Sequence, residues 1–266
     1  MLTANDHVFV VCAYDENPFL IKCVKSLISQ NCKSKIYMST STPNQYINDI
    51  CNTYNIHLFI NEEKKGIAHD WNFAYNQVFD KRLITLAHQD DIYEPDYLEN
   101  ILNTINKSNS PLILFTDYYE IRNNKIINNN KLLFIKRFMT LPFILAIFQK
   151  SIKMRRFMLS FGNPICCPSV TYVNINLPTP LFDCKYNNNC DYKLYIILSR
   201  LKGSFIYCPK KLVGHRIYSN SETSKNINDN TREKEDLEIL NELWPKFIAK
   251  IIIFFYKLSE NSNKID

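Results

Sequence analysis

The sequence predicts an α/β protein built on a doubly wound, mostly parallel sheet, followed by a less regular second half and a helical tail. Two observations predict it. Up to about residue 120, apolar runs of strand length alternate with segments whose apolar residues recur at helical spacing. Such alternation implies crossover units and parallel pairing. Polar and acidic residues also follow directly on several of these runs, at the strand ends where ligands bind in sheets of this kind.

Val8–Ala13 is a continuous apolar run, read as a strand buried on both faces. Asn17-Pro18 predicts a helix start, with Asn as the cap and Pro in the first turn. Leu20, Val24, Leu27 and Ile28 then form its apolar face. Lys35–Ser39 is the second strand, Pro43–Tyr54 the second helix and Ile56–Ile60 the third strand. A helix from Ile67 aligns Trp71, Ala74 and Val78. The fourth strand, Arg82–Ala87, ends at His88-Gln89-Asp90-Asp91. Pro95 opens a helix carrying Leu98, Ile101, Leu102 and Ile105, and Pro111–Thr116 is another strand.

Beyond that point the pattern changes. Asn123–Asn130 is polar and predicts a loop or hairpin. Lys131–Phe161 mixes apolar, aromatic and basic residues. Ser169–Val173 and Ser204–Tyr207 read as strands, and Asp191–Leu201 as a helix closed by Gly203. A charged, then amphipathic, helical tail runs from Asp229 to about Tyr256. The expected division is a domain over residues 1–228, with halves at 1–120 and 121–228, and a tail over 229–266.

Of the 266 residues, 46% are hydrophobic and 22% charged, enough for a sizeable core. The net charge of +6 fits an anionic ligand or lipid surface. Nucleic acid is not expected, because the cations are not gathered in one stripe with interleaved aromatics. Nine cysteines include no Cys-x-x-Cys pair, which argues against a zinc site or disulfide framework and for a reducing compartment. The start carries no signal-peptide pattern, and the apolar stretches fall short of the roughly 20 residues of a spanning helix. The expected location is the cytoplasm, including the inner face of the membrane. The mixed basic and apolar segments Lys131–Arg137 and Lys150–Arg156 either contact anionic lipid there or simply pack on the core.

Asp90 and Asp91 close a buried strand. Two neighbouring carboxylates raise each other's charging cost, and a divalent cation removes it. Magnesium and manganese favour oxygen ligands and bridge carboxylates to substrate phosphates. Such a metal offsets charge on a diphosphate as it departs. A solvated turn or a cap before Pro95 is the plainer alternative.

The order of segments resembles the family 2 glycosyltransferases with the GT-A fold. The carriers are Ala13-Tyr14-Asp15-Glu16 after the first strand; GIAHDWNFA, with Gly66 and Asn72; LAHQDDIYEPDYLE, with His88 in place of the family's first Asp; CDYKLYIILSRLKGSFIYCPKKL; and HRIYSNSETS. The resemblance covers about residues 7 to 224. Departures are Ser39-Thr40-Ser41 where an Asp is usual, Trp71, His88 and Tyr218. It implies an inverting transfer of a sugar from a nucleotide-diphosphate sugar, a UDP-sugar foremost, to a hydroxyl of a bacterial surface polysaccharide or lipid-linked glycan. It further implies Mn2+ or Mg2+ on Asp91 and Asp90, with Asp191 as catalytic base. Ala13, Tyr14, Glu16, Ser39, Thr40, Asn72, Gln89 and Asp90 would contact the donor. Asp117, Cys167 and Arg216 fall on the acceptor side, and Lys65 or Arg216 would meet the phosphates. His215 is either a neighbour of the metal or a hydrogen-bonded structural histidine. A nucleotidyltransferase is the weaker enzyme reading, since no glycine occurs in the first 60 residues to form its phosphate loop. The non-enzymatic alternative is a nucleotide-sugar-binding module with a degenerate site.

Overall fold

The computed structural model describes residues 1–63, 65–218 and 231–261, and side chains as far as residue 254. Four parallel strands form its first half: β1 (His7–Ala13), β2 (Lys35–Thr40), β3 (His57–Ile60) and β4 (Leu83–His88). Along β1, Val8 and Val10 enter one core while Phe9, Val11 and Ala13 enter the other. That alternation is what a strand covered on both sides requires. Helices α1 (Leu20–Ile28), α2 (Gln45–Tyr54) and α4 (Tyr97–Ile105) cover one face; α3 (Ile67–Asn76) covers the other.

The second half extends the same sheet with mixed pairing. β5 (Ile92–Tyr93), β6 (Pro111–Arg122), β7 (Lys125–Ile127), β8 (Val170–Val173) and β9 (Ser204–Ile217) complete the order β3-β2-β1-β4-β8-β6-β9-β5, with β7 beside β6. β8 runs antiparallel between β4 and β6, and β9 is parallel to β6. The strands expected at Pro111–Thr116 and Ser204–Tyr207 therefore run further, to Arg122 and Ile217. Polar residues of these continuations, Glu120 and Arg216 among them, are buried where the two strands pair, which strand periodicity alone does not reveal. The Asn-rich segment is a hairpin whose turn residues, Asn123 and Asn124, have φ of 49° and 60°. Asn tolerates this left-handed pair, and two-residue hairpins need it.

Helix α1 begins later than its sequence signal. Asn17 accepts the Phe19 amide (2.8 Å) and forms a preceding turn, so the helix starts at Leu20. The second helix, expected from Pro43, starts at Gln45 with Asn44 as its cap, accepting the Ile47 amide at 2.9 Å. The basic-apolar stretch resolves into α5 (Lys131–Thr140), α6 (Ala146–Gln149) and α7 (Ile152–Leu159), and α8 spans Cys190–Leu198. The tail forms α9 (Thr231–Asn241) and α10 (Lys246–Asn261), divided at Pro245. Residues 229–230 of the expected tail, and 219–224 of the last resemblance segment, lie outside the described residues.

Helix α9 is joined to the main core, with Ile239 fully buried beside α8. Its Glu235 accepts the backbone amides of Asn187, Asn188 and Asn189 at 2.8–3.0 Å, just ahead of α8. All nine cysteines are unpaired. Among the described residues, no helix is long and apolar enough to cross a membrane.

Candidate active site

The ends of β1 and β4 lie side by side, and β9 passes behind the latter. Gln89 joins the first two: its amide accepts from the Tyr14 N–H (2.9 Å) and donates to the Tyr14 carbonyl (3.1 Å). Ala13 is buried at the end of β1, while Tyr14 and Glu16 are exposed just past it. Between them Asp15 has φ 49°, and its amide donates to Thr42 Oγ1 at 2.6 Å. Ser39 and Thr40 are buried at the end of β2. Next to them Asp70, in the first turn of α3, accepts from Ser41 (2.8 Å) and Asn61 (2.8 Å), tying the ends of β2 and β3 together. Asp70 is not among the residues that the resemblance implies, although an acid in a helix's first turn is a visible signal.

The two adjacent acids do different jobs. Asp91 is fully buried. Its Oδ1 accepts the Arg216 amide at 2.7 Å and lies 3.1 Å from His215 Nδ1. Expected as a metal ligand, it also supplies the acceptor that this buried β9 N–H needs. Asp90 is half-buried. Burial pushes its carboxyl up to about 7, and Asp91 adds to the rise; His215 and a hydrogen bond from Tyr218 oppose it. The Tyr218 hydroxyl also accepts from Asn17 Nδ2 at 3.0 Å. Burial works against protonation of His215, yet the Asp91 carboxylate outweighs it, and His215 is raised above its ordinary value.

His88 stacks on Trp71 with ring centroids 4.8 Å apart. Burial lowers its pKa to about 4, so the ring is neutral near pH 7. Its Nε2 is buried and has no hydrogen-bond partner among the described residues. Arg216 is also buried; its Nε donates to the Asp90 carbonyl (3.0 Å), and its guanidinium lies 4.0 Å above the Phe19 ring. It braces the acidic turn. Lys65 is exposed and paired with Glu63.

Asp191 stands in the first turn of α8. Its Oδ1 accepts the Tyr192 amide (2.7 Å) and its Oδ2 accepts from Asn163 (3.0 Å), in the loop after α7. Burial raises its pKa above the ordinary carboxylate value, against the lowering effect of these bonds and of Arg232 and Lys136.

Asn72, Asp117 and Cys167 are the remaining expected contacts. Both ends of the Asn72 amide bond the Phe182 backbone, each at 2.8 Å, so Asn72 fixes the loop ahead of α8. Asp117 is gripped by Arg137 Nε at 2.9 and 3.1 Å, a neutralised pair. Cys167 lies in a 3-10 turn, with its thiol pushed well above its ordinary value by burial, the reverse of a nucleophile's environment.

Among the described residues, no group of three or more His, Cys, Asp and Glu side chains is arranged to hold a metal ion. The expected ligands, Asp90 and Asp91, supply two carboxylates at this turn. Magnesium and manganese are commonly held by one or two carboxylates completed by substrate phosphates. The residues present thus fit a metal that arrives with a diphosphate, not one caged by protein alone.

The glycosyl transferase family 2 model matches residues 8–168. Among solved structures, the mannosyltransferase PcManGT from Pyrobaculum calidifontis, in complex with GDP-Man and Mn2+, superposes with a TM-score of 0.61 at 10% identity, over 98% of this chain and 76% of that one. S. aureus TarS superposes with a TM-score of 0.58 at 11% identity, over 93% of this chain; the chain spans 42% of TarS. TarS residues 1–349 in complex with UDP-GlcNAc give a TM-score of 0.55 at 14% identity, over 93% and 70% of the two chains. No curated protein matches the sequence. The sheet order and its two helical layers are the GT-A fold expected from the sequence. With the acidic turn lying inside the matched span, the chain belongs to glycosyl transferase family 2.

Proposed function

We propose that the protein transfers a sugar from a nucleoside-diphosphate donor, a UDP-sugar foremost, to a hydroxyl of a polysaccharide or lipid-linked glycan, in one displacement with inversion. The observation that carries this reading is Asp191: a half-buried carboxylate fixed by two hydrogen bonds at a helix start, with its pKa raised by burial. A general base needs that combination of fixed position and raised basicity. The match to the family model ends before Asp191, so its role rests on this geometry. Binding of GDP-Man and UDP-GlcNAc by proteins of the same fold supports the donor class.

In this reading Tyr14 and Glu16, exposed past β1, border the nucleoside, and Ser39 and Thr40 shape the floor beneath it. Asp90, with Asp91, would hold Mn2+ or Mg2+ beside the donor diphosphate, where a divalent ion would offset charge on the leaving group. Arg216 and Gln89 keep the Asp90 turn in place. Asp191 receives the proton of the acceptor hydroxyl as its oxygen attacks.

The test begins with a thermal-shift screen of nucleoside diphosphates and their sugars, with and without manganese, because a ligand selective for the folded state raises its stability. Product formation is then measured with the stabilising donor. Asp191→Asn is expected to lower turnover by about 10²–10⁴-fold while leaving donor affinity nearly unchanged. Near-normal turnover of that variant overturns the base assignment. Donor binding without transfer to any glycan acceptor favours the binding-module alternative.

A further inference from the structure

Between Glu120 and Asp183 the chain contains no acidic residue, yet it contains nine lysines and arginines, more positive charge than the whole chain's net +6. The middle of this stretch, α5 to α7, is also where large apolar side chains face outward. Phe134 and Phe138 are each 70% exposed, one turn apart on α5. Ile144, Leu145, Ile147 and Phe157 continue the exposed apolar surface through the 3-10 turn, α6 and α7. Lys131, Lys150 and Lys153 are exposed among them, and Arg156 is half-buried. The opposite side of α5 is anchored: Leu133 is fully buried and Arg137 grips Asp117.

The surface continues onto the tail. Phe157 meets Phe161 edge-on (5.2 Å between centroids), Phe161 meets Trp244 (5.7 Å), and Trp244 donates to the Ser160 carbonyl. Helix α10 follows, with Phe247, Ile251 and Phe254 exposed beside Lys246 and Lys250. Solvated helices rarely expose contiguous large apolar groups without a partner. A protein partner of ordinary composition does not call for helices without acidic residues, as α5 to α7 and residues 246–254 are, whereas an anionic bilayer does: lysines meet headgroups while aromatic and aliphatic side chains enter the acyl boundary. At 10, 4 and 8 residues, α5, α6 and α7 are too short to span a bilayer, so they suit contact in its surface plane.

We propose that the face formed by α5, α6, α7 and the start of α10 docks on an anionic lipid surface. This docking does not depend on the transfer reading. Its consequence for the site does: Asn163, which holds Asp191, follows α7, and Lys136 of α5 acts electrostatically on the same carboxylate. A docked molecule would thus present Asp191 to a hydroxyl carried near the lipid surface.

The test is co-sedimentation of the full chain, without donor, with vesicles of phosphatidylglycerol and phosphatidylcholine, against phosphatidylcholine alone, at low and high salt. Selective, salt-weakened binding to the anionic vesicles is expected. Phe134→Ser with Phe138→Ser, and separately Lys150→Glu with Lys153→Glu, should each weaken it on the order of tenfold. Lys22→Glu with Lys25→Glu, an equal charge change on α1, should have little effect. These side chains are exposed, so melting temperatures should stay near the parent value. Absence of binding, or binding indifferent to lipid charge and to both face variants, overturns the proposal. So does a dimer in sedimentation velocity that the Phe pair converts to monomer, since a second copy would then cover the face. Transfer to a water-soluble acceptor, measured in parallel, separates failure here from failure of the proposed reaction.

Discussion

At Asp191, burial and hydrogen bonding pull in opposite directions: burial raises the carboxyl's pKa, while the Tyr192 amide and the Asn163 side chain lower it. Removing Asn163 takes away a stabiliser of the ionised form, so Asn163→Ala should raise the pKa further. Because a base works when deprotonated, the acid limb of the kcat/KM profile should move to higher pH, with the plateau less affected. An unmoved limb would show that Asp191 does not govern the rate. The adjacent acids allow a second comparison. Asp91→Ala strands His215 and the Arg216 amide, and loss of one partner from a buried charged pair costs about 3–5 kcal/mol. Asp90→Asn should leave stability in denaturant titrations nearly intact and weaken donor binding instead. Equal destabilisation by both would refute the division of labour. In the sequence these neighbours look alike. What distinguishes them is an amide 125 positions away on β9, and no local pattern reports that.

Among the elements, the parallel half was legible because each buried strand is one apolar run and each helix shows a single apolar face. The second half was less so. β6 and β9 continue through polar residues, some of them buried where the strands pair, and α5 to α7 leave apolar residues outside, which defeats periodicity. β9 approaches β6 closely at Gly214, where a Cβ would fall 2.7 Å from the Tyr119 ring. That close approach carries His215 and Arg216 up to the acidic turn. Helix α9 has a comparable role on the other side, through the three amides that Glu235 accepts ahead of α8. Glu235→Ala leaves three such donors to find new partners, a cost of about 3 kcal/mol if each loses about 1. Denaturant titration should register that loss, and transfer should slow as the segment before Asp191 loosens. A variant of parental stability and rate would mean that the tail is an appendage with no hold on the site.

At the scale of the whole molecule, the two halves share one sheet, and a buried polar chain crosses the junction. His7 on β1 lies 2.9 Å from Thr85 on β4, which meets Thr171 on β8 at 2.8 Å, and Tyr97 of α4 reaches Thr171 at 3.1 Å. Ser34 occupies the other ring nitrogen of His7, at 2.9 Å. The imidazole is thus satisfied in its neutral form, and burial lowers its pKa from 6.5 to about 3. In the unfolded chain the same group takes up a proton near 6.5. Below that pH the unfolded state holds more protons than the folded one, so stability falls as pH drops from about 6.5 toward about 3. The limiting slope for one proton is about 1.4 kcal/mol per pH unit. His7→Gln keeps a polar side chain for Ser34 and Thr85 but cannot titrate. Urea titrations of the two proteins across this range should diverge at neutral pH, where His7 contributes in full, and converge on acidification. Parallel curves would show that His7 takes up its proton without opening the junction between the parallel and mixed halves of the sheet.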